Sequence, residues 1–234
     1  IQRLVGSEMC IRDRLNSMGA DIKGAGTDEI TIKGVNELFG TSFTIPADRI
    51  EAGTYLVAAA VTNGSITIDS INPNRLMKVI NMIERSGPKI SFDDNSISIS
   101  MNKDRPDPVD ITTAPFPEFP TDMQAQFSVI NAISSGVSNI YGTVFENRFM
   151  HILELNRMGC DIEVKGNHAI IKGVESIYGA EVMATDLRAS ASLILAGLCA
   201  KGETVVDRIY HIDRGYERIA VSYTHLRAHE TLNH

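Results

Sequence analysis

The stretch VMATDLRASASLILAGLCAKGETVVDRIYHIDRGYERI, Val182 to Ile219, decides how the chain is read. An acidic residue, Asp186, stands where a small-residue apolar run begins, and an arginine, Arg188, follows within one turn. The run ends in a glycine turn, and a β-branched strand leads into an arginine-rich loop that holds Arg208, Arg214 and Arg218. Working outward, the same plan recurs upstream as ADRIEAGTYLVAAAVTNGSITI from Ala47 and as TDMQAQFSVINAISSGVSNIYG from Thr121. Asp48, Asp122 and Asp186 each open such a helix, expected to run about four turns. Their spacings of 74 and 64 residues define a repeat.

A second self-similar element alternates with the first. Leu15–Val35, LNSMGADIKGAGTDEITIKGV, matches Leu155–Val174, LNRMGCDIEVKGNHAIIKGV, and a looser copy runs from Ile83 through Gly87 to Ile99. Each reads as a helix end, a helix-stopping glycine (Gly19, Gly159) and a β-hairpin. Together the two elements predict strand, helix, strand, second helix and hairpin in each unit. The second helices fall at Asn74–Ser86 and Asn147–Met158, with a third beginning near Arg214. Asp104–Pro120 holds five of the eight prolines, which excludes regular helix and most central-strand positions. It reads as an extended connector, anchored by Phe116 and Phe119, that positions Thr121 and Asp122.

The two ends do not follow this plan. Residues 1–14 show no sustained period, and residues 220–234 hold three of the six histidines on no coherent apolar face. Both read as non-native tails resembling translated adaptor or fusion sequence, so His225, His229 and His234 are not taken as a metal site. The 234 residues carry 43% hydrophobic and 22% charged side chains, enough for a full core without disulfides or metals. A net charge of -7 argues against general nucleic-acid or membrane-surface binding, and no apolar run reaches membrane-span length. The default expectation is a cytoplasmic protein. Cys10, Cys160 and Cys199 match neither a disulfide framework nor a zinc spacing. Cys160 and Cys199 read as packing residues, and His151 and His211 have no ligand spacing. No Walker loop, dinucleotide fingerprint or nucleophile elbow is present. No metal and no cofactor is expected.

An Asp at a helix start is ordinarily a cap, worth about 1 kcal/mol. Here Arg49 directly follows Asp48 and Arg188 lies just after Asp186, where a cation opposes the helix dipole. Helix N-termini combined with arginine forks suit anionic ligands. The strand at 204–209 can return Arg208, Arg214 and Arg218 to the same end as Asp186, and Arg148 occupies the equivalent place one unit earlier.

At TDMQAQF (121–127), TVFENRFMH (143–151), MATDLRASASL (183–193) and DRIYHIDRGYERI (207–219) the sequence resembles the enolpyruvyl transferases, and among them UDP-N-acetylglucosamine 1-carboxyvinyltransferases. The resemblance covers Leu15 to Ile219. It implies an α/β fold, an inside-out α/β barrel of βαβαββ repeats with helices within and sheets outside, here incomplete. Residues 15–46 would be the last piece of a partner domain, and 47–219 a domain of three units, the third truncated. The implied activity is transfer of an enolpyruvyl group from phosphoenolpyruvate to the 3-hydroxyl of UDP-N-acetylglucosamine, a step of peptidoglycan synthesis, by an enzyme monomeric at full length. Asp122 is the implied general base and Asp186 the second acidic residue in proton transfer. Thr121 and Val144 adjoin the UDP-sugar, Arg188 and Arg214 bind the phosphoenolpyruvate carboxylate and phosphate region, and Arg208 and Arg148 support them. The family's cysteine-bearing loop has no counterpart after Leu15, so the chain alone is expected to be inactive. A 5-enolpyruvylshikimate 3-phosphate synthase-like transferase and a non-catalytic binding module on the same scaffold are the alternatives.

Overall fold

The computed structural model describes residues 5–27, 29–144, 148–217, 219, 222 and 223, with side chains from Cys10 onward. The chain opens with helix α1 (Val5–Ser17) and the hairpin β1 (Asp21–Lys23) and β2 (Thr31–Lys33). The first unit contains α2 (Arg49–Val61), β3 (Ser65–Asp69), α3 (Met77–Arg85), β4 (Lys89–Phe92) and β5 (Ser96–Ser100). The second contains β6 (Ile111–Thr112), α4 (Gln124–Ala132), β7 (Val137–Tyr141), α5 (Met150–Arg157), β8 (Asp161–Lys165) and β9 (His168–Lys172). The third contains β10 (Glu181–Met183), α6 (Ala189–Cys199) and β11 (Val205–Asp207).

The second unit is therefore a full βαβαββ repeat. Its sheet runs β6-β7-β9-β8, with β6 parallel to β7 and the other pairs antiparallel. The first unit's sheet, β3-β5-β4, has the same order as β7-β9-β8, and β10 pairs parallel with β11 as β6 does with β7. Helices α2, α4 and α6 each pack against the other two, and all nine residues of α4 are buried. Helices lie inside and sheets outside, as expected; no closed barrel forms among the described residues. Close approach depends on small residues. A Cβ at Gly53 of α2 would stand 3.0 Å from Met123, directly before α4.

The hairpin copies are equivalent to the level of single bonds. Past Gly19 and Gly159, both with positive φ, the chain turns back and Ala20 N bonds Leu15 O as Cys160 N bonds Leu155 O. The Asn16 side chain then accepts from Ile22 N and donates to Ile22 O, and Asn156 does the same with Ile162. An asparagine one turn before each glycine thus fixes the entry into the strand.

Several boundaries differ from the sequence reading. Helix α1 begins at Val5, crossing the limit set at residue 14; it has no apolar stripe, so no period reveals it. Contacts from Arg75 to Cys10 Sγ (3.5 Å) and to Asp13 Oδ2 (4.0 Å) tie it to the first unit. The second helices are shorter than expected. A 3-10 turn at Pro73–Arg75 precedes α3, and α5 starts at Met150, with residues 145–147 outside the described residues. The helices opened by Asp122 and Asp186 have 9 and 11 residues. Near Arg214 the backbone forms turns, after a 3-10 segment at Ile209–His211. Beyond Ile219, Tyr223 packs its ring 5.3 Å from that of Tyr55.

Candidate active site

The three central helices begin at one end of the molecule, and their three aspartates are used differently there. Asp48 is a cap: its Oδ1 accepts from Ile50 N at 2.8 Å and Glu51 N at 3.3 Å. Asp186 turns back onto its own helix, Oδ1 accepting from Ala189 N at 2.6 Å, while Ser190 Oγ accepts from Thr185 N and Asp186 N. Asp122 breaks the expected pattern. It sits in a 3-10 turn, Thr121–Met123, and α4 starts at Gln124 with no side-chain cap. Its Oδ1 instead accepts from Arg148 Nη1 at 2.8 Å, both side chains about one-third exposed. The one carboxylate not spent on capping is the residue assigned by resemblance as the base.

The connector fixes this position. Phe119 is buried and meets Phe127 of α4 edge-on at 5.0 Å. Thr113 N donates to Tyr141 O, and Thr143 bonds Thr113 through both its N–H and its hydroxyl. The segment after β7 is held to the connector, and Val144, 7% exposed, ends its described part before Arg148.

Arg188 is the N-terminal flanking residue of α6 and does not stay on its own helix. Its Nη2 reaches Asp48 Oδ2 at 2.6 Å, its Nη1 donates to Gly215 O at 2.9 Å, and its guanidinium lies 5.1 Å from the Tyr216 ring centroid. Burial pulls the Arg188 pKa down, but the bond and charge of Asp48 outweigh it and hold the group above its ordinary value. Arg49 lies within electrostatic reach of Asp122, Asp48 and Arg188, and burial lowers its pKa. The starts of α2, α4 and α6 thus share one interlocked set of charges.

The parallel pairing of β10 and β11, register Met183↔Asp207, brings Arg208 beside the entrance to α6, with Ala184 N bonded to Asp207 O. Arg208 has φ +58° and is exposed. Arg214 is also exposed, directly before the Gly215 carbonyl that Arg188 grips; neither side chain makes a hydrogen bond or ion pair among the described residues. Arg218, His225, His229 and His234 lie outside the described residues. Among the described residues no cluster of His, Cys, Asp or Glu could hold a metal, and no helix is long and apolar enough to cross a membrane.

Sequence reading missed the group that locks this end together. Tyr216, Thr54 of α2 and Gln126 of α4 are almost fully buried and mutually hydrogen-bonded. The available signal was a Thr and a Gln inside otherwise apolar helices, where a polar group must find a partner.

These elements recur in known proteins. A family model described as EPSP synthase (3-phosphoshikimate 1-carboxyvinyltransferase) matches residues 8–221. The UDP-N-acetylglucosamine 1-carboxyvinyltransferase of Haemophilus ducreyi is 58% identical over 205 residues, 88% of this chain and 48% of that protein. Its namesake from Hydrogenovibrio crunogenus is 55% identical over 215 residues, 92% of this chain and 51% of the relative. The chain spans about half the length of the curated relatives it matches. Among solved structures, the enolpyruvyl transferase NikO from Streptomyces tendae aligns with a TM-score of 0.78 at 25% identity, over 89% of this chain and 50% of that one. EPSP synthase from Acinetobacter baumannii shares the fold, with a TM-score of 0.62 at 20% identity, over 90% and 51%. With the repeat order and sheet topology matched along nearly its whole length, the chain belongs to the EPSP synthase (3-phosphoshikimate 1-carboxyvinyltransferase) family.

Proposed function

We propose that the converging starts of α2, α4 and α6 form one wall of an enolpyruvyl-transfer site acting on UDP-N-acetylglucosamine and phosphoenolpyruvate. The observation that carries this reading is the state of Asp122, left uncapped and held by Arg148. In that role its carboxylate takes the proton of the sugar 3-hydroxyl as the oxygen attacks C2 of phosphoenolpyruvate and C3 gains a proton. A proton then leaves C3, the C–O bond to phosphate breaks, and an enolpyruvyl ether and inorganic phosphate result. Asp186 serves the C3 proton transfers. Arg188 and Arg214 face the carboxylate and phosphate charges, with Arg208 and Arg148 in support. Thr121 and Val144 adjoin the sugar.

The relatives at 55–58% identity, all named for UDP-N-acetylglucosamine, support the sugar nucleotide over shikimate 3-phosphate. Residues 47–219 are the arginine-bearing domain and residues 15–46 the end of a partner domain, within a longer cytoplasmic, monomeric enzyme. This chain alone binds substrate weakly and turns nothing over, because the opposite wall belongs to that partner domain. Isothermal titration of the chain with each ligand tests the reading. Weak binding of UDP-N-acetylglucosamine, reduced about tenfold by Asp122→Ala through loss of a charge-assisted bond, is expected. Tighter binding of shikimate 3-phosphate, or sustained phosphate release by the chain alone, refutes it.

A further inference from the structure

Arg49 has spent none of its donors. Among the described residues it makes no hydrogen bond or ion pair, and its guanidinium carbon lies 5.9 Å from the centroid of the Phe116 ring. Arg208 and Arg214 are equally unengaged but exposed to water, whereas Arg49 is half-buried. It borders a cavity of about 180 Å³ between the connector (Phe116, Pro117, Glu118, Pro120) and the start of α3. Two further cations line the same cavity, Arg75 and Lys78, against one carboxylate, Glu118. Those two are already engaged: Lys78 Nζ with Glu118 at 3.0 Å, and Arg75 with Cys10 and Asp13 of α1. An unpaired guanidinium taken partly out of water is unfavourable until something supplies acceptor oxygens. A planar fork with free N–H groups is suited to two oxygens of one oxyanion.

We propose that this cavity is an anion subsite separate from Arg188 and Arg214, in which Arg49 grips a small oxyanion of phosphate size with Phe116 stacked behind it. The Lys78–Glu118 pair forms the opposite wall. Arg49 is also within electrostatic reach of Asp122 and Arg188, so neutralising it changes the field at the transfer site. The inference goes beyond the proposed reaction, which does not use Arg49.

The test is titration of the chain with inorganic phosphate, observed at the arginine Nε–H resonances by NMR. Arg49 is assigned by the signal lost in Arg49→Lys. A saturable shift at Arg49 that persists in Arg188→Gln, and a phosphate affinity measured by isothermal titration that falls about tenfold in Arg49→Lys, is the expected result. An Arg49 signal unmoved by phosphate, while Arg188 responds, overturns the subsite and leaves the transfer reading standing. A response at Arg49 with none at Arg188 supports the subsite and counts against the transfer reading. Shifts at neither overturn both. Acetate as a second titrant separates a carboxylate site from a phosphate site: equal affinity for acetate refutes phosphate as the occupant.

Discussion

The hydrogen-bond node at Thr54 makes a quantitative prediction, because its proton count closes. Thr54 Oγ1 donates to Ile50 O at 2.8 Å, which uses its only proton. The 2.9 Å contact with Tyr216 must therefore be donated by the tyrosine O–H, and Gln126 Nε2 donates to the same Oγ1 at 3.1 Å. Both lone pairs of Thr54 are filled, and Gln126 Nε2 also lies 3.4 Å from the Tyr216 oxygen. Tyr216→Phe removes the bond to Thr54 and the weaker contacts of the phenol oxygen with Gln126 and Arg188, at a cost of about 1 kcal/mol. Thr54→Val keeps the shape but strands a buried tyrosine O–H and a buried amide N–H, at a cost of about 2 to 3 kcal/mol. The asymmetry is the prediction: the smaller chemical change in bulk does the greater damage. Urea unfolding followed by far-ultraviolet circular dichroism measures both, and the double variant gives the coupling. If Tyr216→Phe proves as destabilising as Thr54→Val, the donor assignment is wrong. Burial also raises the Tyr216 pKa, opposed by the Thr54 bond, so the phenol remains the donor at neutral pH.

Two further predictions follow from burial. His151 is 1% exposed, and burial pushes its pKa down to about 4, whereas an unfolded histidine titrates near 6.5. The unfolded chain thus binds a proton that the native state refuses, and stability falls as pH drops from about 6.5 towards 4, by up to about 1.4 kcal/mol per unit. His151→Gln should flatten that part of the urea-midpoint profile, and identical profiles refute the assignment. Cys160 and Cys199 are both pushed up to about 12 by burial, so alkylation by iodoacetamide at pH 8 should be slow at both in the native chain and fast in urea. Rapid native labelling of Cys199 contradicts its reading as a packing residue.

The architecture was legible in the sequence because repeats carry their own control. Leu15–Val35 and Leu155–Val174 form the same turn, glycine and hairpin, down to the asparagine clamp, since those bonds are local and each is specified within eight residues. The small-residue apolar runs after Asp48, Asp122 and Asp186 announced three helices, and the family resemblance implied that they lie inside. Their mutual order and the sheet topology then required tertiary pairing, such as Met183 with Asp207 across 24 residues. The site was legible as residue types, not as partnerships. Asp48, Asp122 and Asp186 look alike in sequence, yet one caps α2, one closes on α6 and one pairs with Arg148. Which outcome each takes depends on where the backbone N–H groups of its own turn point, and on which guanidinium arrives from elsewhere. Arg188 bonds Asp48 across 140 residues, and Tyr216 reaches Thr54 across 162. Local chemistry could identify the charges at the helix ends, but only the packing of α2, α4 and α6 decided which charge meets which, because those contacts exist only once the three helices share one core.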